Sequence, residues 1–268
     1  MEIDGSTVIV TGGASGIGRA LAQGFAAGGA RVVIGDIDEG GAQATAATVR
    51  DNDGSAVALR ADAADTGDIE ALITLASQEF GPVDIFVANA GVIGAPDLGT
   101  EADWDRILDI NLRAHVRAAN LIVPHWRSRG RGHFVAVASA AGLLTQIGAA
   151  GYAVSKHAAV GFAEWLSITY GDDGIGVSCV CPLGVDTPLL HAIQSGADAG
   201  TRAAVEAVVR SGTVLGADEV AAATIDAVRD GRFLVLPHPQ VLDMYRHKSS
   251  DYDRWLAGMR RYQRSLDT

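Results

Sequence analysis

Seven short, largely apolar runs punctuate the chain, at positions 7–11, 31–35, 56–60, 83–87, 133–138, 175–181 and 233–236, the first of them wholly β-branched. Each has the length of a buried strand. Between them apolar positions return every three or four residues, which predicts a helix opening in the glycines of 12–18 and further helices over 65–80, 101–129, 151–170 and 218–229. Strands alternating with helices predict a parallel, doubly wound α/β sheet with helices on both faces and right-handed crossovers. No linker, repeat or low-complexity segment breaks the pattern, so one domain over 1–268 is expected. Residues from about 238 to 268 fall outside the alternation and read as a helical extension. There Trp255, Met259 and Tyr262 form an apolar stripe that would pack on its own domain or on a neighbouring subunit.

The longest uncharged stretch, 134–155, is long enough to raise the question of a membrane span. Its Ser139, Gly142, Thr145, Gln146, Gly148, Gly151 and Tyr152 argue instead for a buried strand, a loop and a helix start.

Candidate chemistry gathers at the strand ends. The first strand runs into Thr11-Gly12-Gly13-Ala14-Ser15-Gly16-Ile17-Gly18, a glycine turn that opens a helix. Such a turn brings backbone close to a ligand and offers free N–H groups to a phosphate. A plain tight turn would use the same residues. Asp36 closes the second strand where a dinucleotide fold places the acid that accepts the ribose hydroxyls, and no Arg or Lys occurs between Val32 and Val49. That favours NAD over NADP, since a carboxylate repels a 2′-phosphate. Tyr152 and Lys156 lie one helical turn apart on one face. They could be surface neighbours, but a cation beside a phenol also favours the phenolate and suits it to proton transfer.

With the turn of 11–18, Asn89-Ala90-Gly91, Asn111, Ser139 and the Tyr152/Lys156 pair in this order, the chain resembles the short-chain dehydrogenase/reductase family in its compact single-domain branch. The likeness covers roughly residues 5 to 237. It implies a Rossmann-type, predominantly parallel seven-stranded sheet of order 3-2-1-4-5-6-7 and a homotetramer or homodimer. In the roles it implies, Ser139 donates a hydrogen bond to the substrate oxygen, Tyr152 passes the proton, and Lys156 lowers the tyrosine pKa and binds the nicotinamide ribose. Asn111 would hold a water linking Lys156 to solvent through a helix irregularity. Gly12, Ser15, Gly16, Ile17, Gly18, Asp36 and Ile37 would bind the adenosine and phosphate half of NAD, and Asp62 with Ala63 would meet the adenine. Asn89, Ala90 and Gly91 would lie along the cofactor, and Pro182, Val185 and Thr187 would hold the carboxamide. Leu183 departs from the pattern, which usually has glycine after that proline.

Charge and cysteine content narrow the partners. A net charge of −11 and a pI near 5.0 argue against nucleic acid or an anionic membrane surface. Cys179 and Cys181 would point to one face of a strand, which disfavours a disulfide, and too few ligands lie nearby for a metal. With no apolar leader after Met1, a cytoplasmic protein is expected. Substrate would be shaped by 92–95, 140–146, Leu183 and 189–212, which are mostly apolar and hold no arginine before Arg202. Gln146 and His191 could each make a polar contact there or lie at the surface. The expected activity is hydride transfer between NAD and an apolar secondary alcohol or its ketone, with a mobile lid over 189–212. A non-catalytic dinucleotide sensor, or a lyase or epimerase using NAD transiently, are the competing readings.

Overall fold

The computed structural model of the protein describes residues 1–194, 206–207 and 212–266. Seven strands form one sheet in the order β3-β2-β1-β4-β5-β6-β7, with every neighbouring pair parallel. They are β1 (Thr7–Thr11), β2 (Arg31–Asp36), β3 (Ser55–Arg60), β4 (Ile85–Ala88), β5 (Gly132–Val137), β6 (Ile175–Val180) and β7 (Leu234–Val235). The connecting helices are α1 (Gly16–Ala27), α2 (Glu39–Asp51), α3 (Thr66–Glu79), α4 (Glu101–Leu108), α5 (Ala114–Arg129), α6 (Ala141–Leu144), α7 (Ala150–Tyr170), α8 (Pro188–Gln194) and α9 (Ala217–Asp230). The doubly wound expectation and the strand order both hold.

Period-two alternation explains why the strands read as unbroken apolar runs. Along β1, Val8 and Val10 enter one cluster with Leu21, Phe25 and Ile225, while Ile9 enters another with Phe86, Trp126, Phe134 and Leu166. Both faces of the sheet are therefore buried under helices, and the polar strand residues Thr7, Thr11, His133 and Ser178 are buried in hydrogen bonds. Local signals set the helix starts. Asp65 caps α3 by accepting from the Asp68 amide at 3.0 Å, and Thr100 with Asp103 forms a capping box at α4.

Several boundaries differ from the sequence expectation for identifiable reasons. Strand β4 begins at Ile85, just after Asp84, whose side chain accepts from the Thr7 amide at 3.1 Å and pairs with Arg129 at 2.7 Å. Only two residues of β7 pair with β6. The expected helix over 101–129 is interrupted by a π-helical turn, Asp109–Arg113, which carries Asn111. The tail forms two helices, α10 (Gln240–Ser250) and α11 (Tyr252–Leu266), separated at the extended Asp251. Lys248, 6% exposed, anchors α10 by donating to the Leu143 carbonyl at 2.6 Å. Cys179 and Cys181 are buried and free, with sulfurs 3.8 Å apart on one strand face. Among the described residues no helix is long and apolar enough to cross a membrane, and no cluster of metal ligands occurs.

Gly132 is the tightest point of the core at β5. A Cβ there would sit 2.1 Å from the Trp126 ring, which is fully buried and tethered to the Val83 carbonyl at 2.8 Å. Gly132→Ala should cost roughly 1–3 kcal/mol by overpacking. Urea denaturation checks it: the midpoint should fall while the slope stays unchanged.

Candidate active site

A cavity of about 700 Å³ opens along the carboxyl ends of the strands, the edge where open α/β sheets bind ligands. Its walls contain Gly12, Ser15, Gly16, Ile17, Gly18, Asp36, Ile37, Asp62, Ala63, Asn89, Ala90 and Gly91 at one end. Ser139, Tyr152, Lys156, Pro182, Val185 and Thr187 complete it. Every site residue expected from sequence lines this space except Asn111, which is fully buried behind it.

The glycine turn is built for close approach. Gly12 has φ +67°, and a Cβ on Gly18 would lie 2.0 Å from the Gly12 carbonyl, so the turn closes onto the first turn of α1 only with glycine there. Asn89 fixes the turn from β4: its Nδ2 donates to the Thr11 carbonyl at 2.9 Å and the Gly12 carbonyl at 3.1 Å. The N-terminus of α1 thus faces the cavity with unpaired amides suited to a pyrophosphate. Asp36 is held by two backbone donors, Ala14 N–H to Oδ2 and Asp38 N–H to Oδ1, each 2.9 Å. Each carboxylate oxygen keeps a lone pair for a hydroxyl. Ile37 presents an exposed apolar face at the rim, and Asp62 accepts the Ala64 amide at 2.9 Å. A dinucleotide fits this donor set: anion at the helix end, diol at the acid, flat ring between apolar residues.

The other end holds the reactive side chains. Ser139 ends β5 and accepts the Ala141 amide at 3.1 Å, which orients its hydroxyl toward Tyr152. Lys156, 4% exposed, donates to the Val137 carbonyl at 3.0 Å and lies 5.8 Å from the centre of the Tyr152 ring. Burial lowers the lysine pKa to about 8, opposed by Cys181 and Cys179. Burial raises the Tyr152 pKa, and the hydrogen bond from Ser139 acts against that rise. The Lys156 ammonium is engaged by the Val137 carbonyl, and desolvation of the phenol dominates the Tyr152 shift.

Asn111 sits in the π turn with its side-chain amide in three hydrogen bonds. It donates to the Val92 carbonyl at 2.9 Å and to Ser155 Oγ at 3.0 Å, and accepts the Val92 amide at 2.9 Å. Both amide N–H groups are thus used, and Oδ1 keeps one lone pair. Leu183 turns its side chain to the cavity, and its amide donates to Nδ1 of His238 at 3.2 Å. The other ring nitrogen of His238 bonds the Thr213 carbonyl at 3.1 Å, so this buried, neutral imidazole clips the 182–187 loop to the segment after it. Burial keeps its pKa low.

Sequence reasoning missed part of the wall. Trp255 and Met259 of α11, Tyr262 beside them, and Met244 of α10 line the cavity together with Leu144, Ile147 and Leu190. The stripe thus packs on its own chain. Its helical period was legible, but its target was not. Arg106 and Ile110 also reach the cavity, which corrects the picture of a pocket without arginine. His191 is an exposed partner of Asp186 at 2.7 Å and does not line the cavity, whereas Gln146 does. Arg202 and most of the expected lid lie outside the described residues.

Comparison with known proteins agrees with this geometry. The family described as short chain dehydrogenase matches residues 6–198. Momilactone A synthase of Oryza sativa subsp. japonica is 36% identical over 245 residues, 87% of either chain. Cis-4-hydroxycyclohexanecarboxylate dehydrogenase of Sinomonas cyclohexanicum is 34% identical over 231 residues, 85% of this chain and 91% of that one. The crystal structure of a short-chain dehydrogenase/reductase from Burkholderia phymatum in complex with NAD has a TM-score of 0.85 at 31% identity, covering 94% of this chain and 96% of that one. The chain belongs to the short-chain dehydrogenase/reductase family of oxidoreductases.

The buried ammonium has a measurable cost. Below pH of about 8 the folded protein keeps Lys156 charged and desolvated, while the unfolded chain holds its proton up to the ordinary value of 10.5. Between those values the unfolded state binds more protons, so wild-type stability rises with pH across that window. Lys156→Met should be more stable than wild type at neutral pH by up to about 3 kcal/mol, with the gap closing toward 10.5. Chemical denaturation at stepped pH tests this. A variant less stable at neutral pH would sink it.

Proposed function

We propose that the protein is an NAD-dependent oxidoreductase that interconverts an apolar secondary alcohol and its ketone, with Tyr152 as the acid and base. The observation that carries this is the meeting of Ser139, Tyr152 and Lys156 in one cavity with a glycine turn and Asp36 at its opposite end. Among the described lining residues Arg106 and Lys156 are the cations, and neither belongs to the turn or the β2 end where a 2′-phosphate would lie. That supports NAD over NADP.

Bound NAD supplies the acceptor for hydride. The Ser139 hydroxyl donates to the substrate oxygen and stabilises the negative charge that develops there. Tyr152 takes the hydroxyl proton in oxidation and returns it in reduction. A phenol with a raised pKa is scarcely ionised near neutrality, so Lys156 must turn part of its charge toward the phenol and the cofactor ribose when the site is filled. The wall of Leu144, Ile147, Leu183, Met244, Trp255 and Met259 is apolar, which favours a ring-sized apolar substrate. The relative from Sinomonas, named for a hydroxycyclohexane carboxylate, is consistent with an alicyclic alcohol of this kind.

The test is absorbance of reduced cofactor with NAD or NADP and a panel of alicyclic, aryl and polycyclic secondary alcohols. Turnover with NAD is expected, and turnover with NADP alone would overturn the cofactor assignment. Tyr152→Phe should lower kcat by roughly 10²–10⁴-fold while NAD still binds. In the same assay Met259→Ala should raise KM for the best substrate by roughly tenfold with little change in kcat, because it removes apolar contact from the wall rather than from the reacting atoms. A loss confined to kcat would place Met259 elsewhere.

A further inference from the structure

Of the 21 lysines and arginines in the chain, only Lys156 and Lys248 are lysines, and both are buried. Neither serves as a surface charge, the usual place of a lysine. The proposed chemistry uses Lys156 and leaves Lys248 over. Lys248 is 6% exposed, with no carboxylate paired to it among the described residues. An apolar side chain would fill that place without desolvating a charge.

The contacts of Lys248 join four elements at one point. On α10, its Nζ donates to the Leu143 carbonyl of α6 at 2.6 Å. It lies 3.5 Å from Nε2 of His157 on α7 and 5.4 Å from the centre of the Tyr252 ring at the start of α11. Each contact stands next to the cavity wall. Leu144 follows Leu143, Met244 lies one turn before Lys248 on the same face of α10, and Trp255 lies one turn beyond Tyr252. The imidazole is held in one tautomer: Nδ1 is 2.8 Å from the Ala153 carbonyl, which can only accept, so Nδ1 carries the proton and Nε2 offers its lone pair to the ammonium. His157 is also exposed, so solvent can protonate it.

We infer that Lys248 and His157 are positioning residues for the substrate wall. The ammonium clasps α10 and α11 against α6 and α7 while His157 is neutral, and a second proton on His157 breaks the clasp. This rests on the reading of the cavity as a site for an apolar alcohol or ketone. A proton on Nε2 removes the acceptor and sets two positive charges face to face, with no carboxylate paired to either among the described residues. On α7 itself, Lys156 donates to Val137, and Glu164 lies two turns beyond His157. His247 of α10 is edge-on to Trp255, and α6 has no titratable side chain. On elements packed against α7, His115 meets Phe134, Asp109 pairs with Arg117 and Asp173 with Arg127. A loosened wall gives up apolar contact with substrate and leaves Ser139, Tyr152 and the glycine turn in place, so substrate affinity falls while NAD binding holds.

Hydrogen exchange read by mass spectrometry, together with steady-state kinetics, provides the test, both followed from pH of about 8 down to about 5.5, where an imidazole changes charge. In the wild type, exchange across 240–266, corrected for its intrinsic pH dependence, should quicken as pH falls. Over the same range KM for the best alcohol should rise roughly tenfold, with affinity for NAD unchanged. His157→Gln keeps an acceptor for Lys248 and never changes charge, so it should hold the closed wall and the low KM throughout. His157→Lys should show the loose extension and the raised KM at every pH. Lys248→Met should do the same and lose the pH response; should it fail to fold, the variants at the exposed His157 still decide. Exchange in the wild type that does not respond to pH overturns the inference. So does a His157→Gln variant that loosens on acidification as the wild type does, or a folded Lys248→Met with wild-type KM. An extension that loosens in the wild type and not in His157→Gln, in a protein that turns over no alcohol, overturns the proposed activity and leaves the clasp standing.

Discussion

An ammonium group buried with no carboxylate paired to it among the described residues is the constraint on which the rest of the site depends. Lys156 is 4% exposed, has the Val137 carbonyl as its hydrogen-bond acceptor, and carries a pKa lowered to about 8 by burial. Such a group is held only by a framework stable enough to absorb its desolvation. The framework here is a sheet buried on both faces, whose β5 end supplies that carbonyl, and a long helix α7 that carries Lys156 and Tyr152 on one face. The same desolvation that weakens the lysine as a cation raises the Tyr152 pKa. Both groups are therefore moved toward their neutral forms, the state from which a small change in surroundings moves a proton.

The far end of the cavity obeys a different logic, with backbone rather than side chains setting the shape. Gly12 and Gly18 meet at a distance no Cβ could occupy, Asn89 ties that turn to the neighbouring strand, and Asp36 is braced by two amides. These contacts join β1, β2 and β4, three adjacent strands, so the binding edge is as rigid as the sheet itself. Parallel pairing brings all three carboxyl ends to one edge, and that placement turns scattered motifs into one surface.

Specific contacts to substrate come from outside this rigid edge. Helices α10 and α11 fold back so that Met244, Trp255, Met259 and Tyr262 close a wall over Ser139 and Tyr152, and Lys248 fixes α10 through the Leu143 carbonyl beside that wall. His238, between the sheet and this extension, grips the Leu183 amide. The chain past the last strand thus shapes both the apolar chamber and the loop of 182–187. Flexible thioethers beside aromatic rings suit a bulky apolar guest, since such a wall can adjust to ring substituents.

Local pattern was sufficient for the fold and for the parts list of the site. Seven short apolar runs alternating with helical periods admit few arrangements other than a doubly wound sheet, and the glycine turn, Asp36, Ser139, Tyr152 and Lys156 all occupy the cavity that the sheet creates. Those features depend on neighbours in sequence, and periodicity records neighbours. The state of the groups was decided only in three dimensions. Burial of the phenol, capture of the lysine by Val137, the bond from Asn111 to Ser155 and the burial of the His115 nitrogens all arise from contacts between residues far apart in the chain. Arg106 and the α11 stripe show the same division: their helices were predictable, but which surface those helices would face was not, because a helical period specifies an apolar face and leaves its partner to tertiary packing.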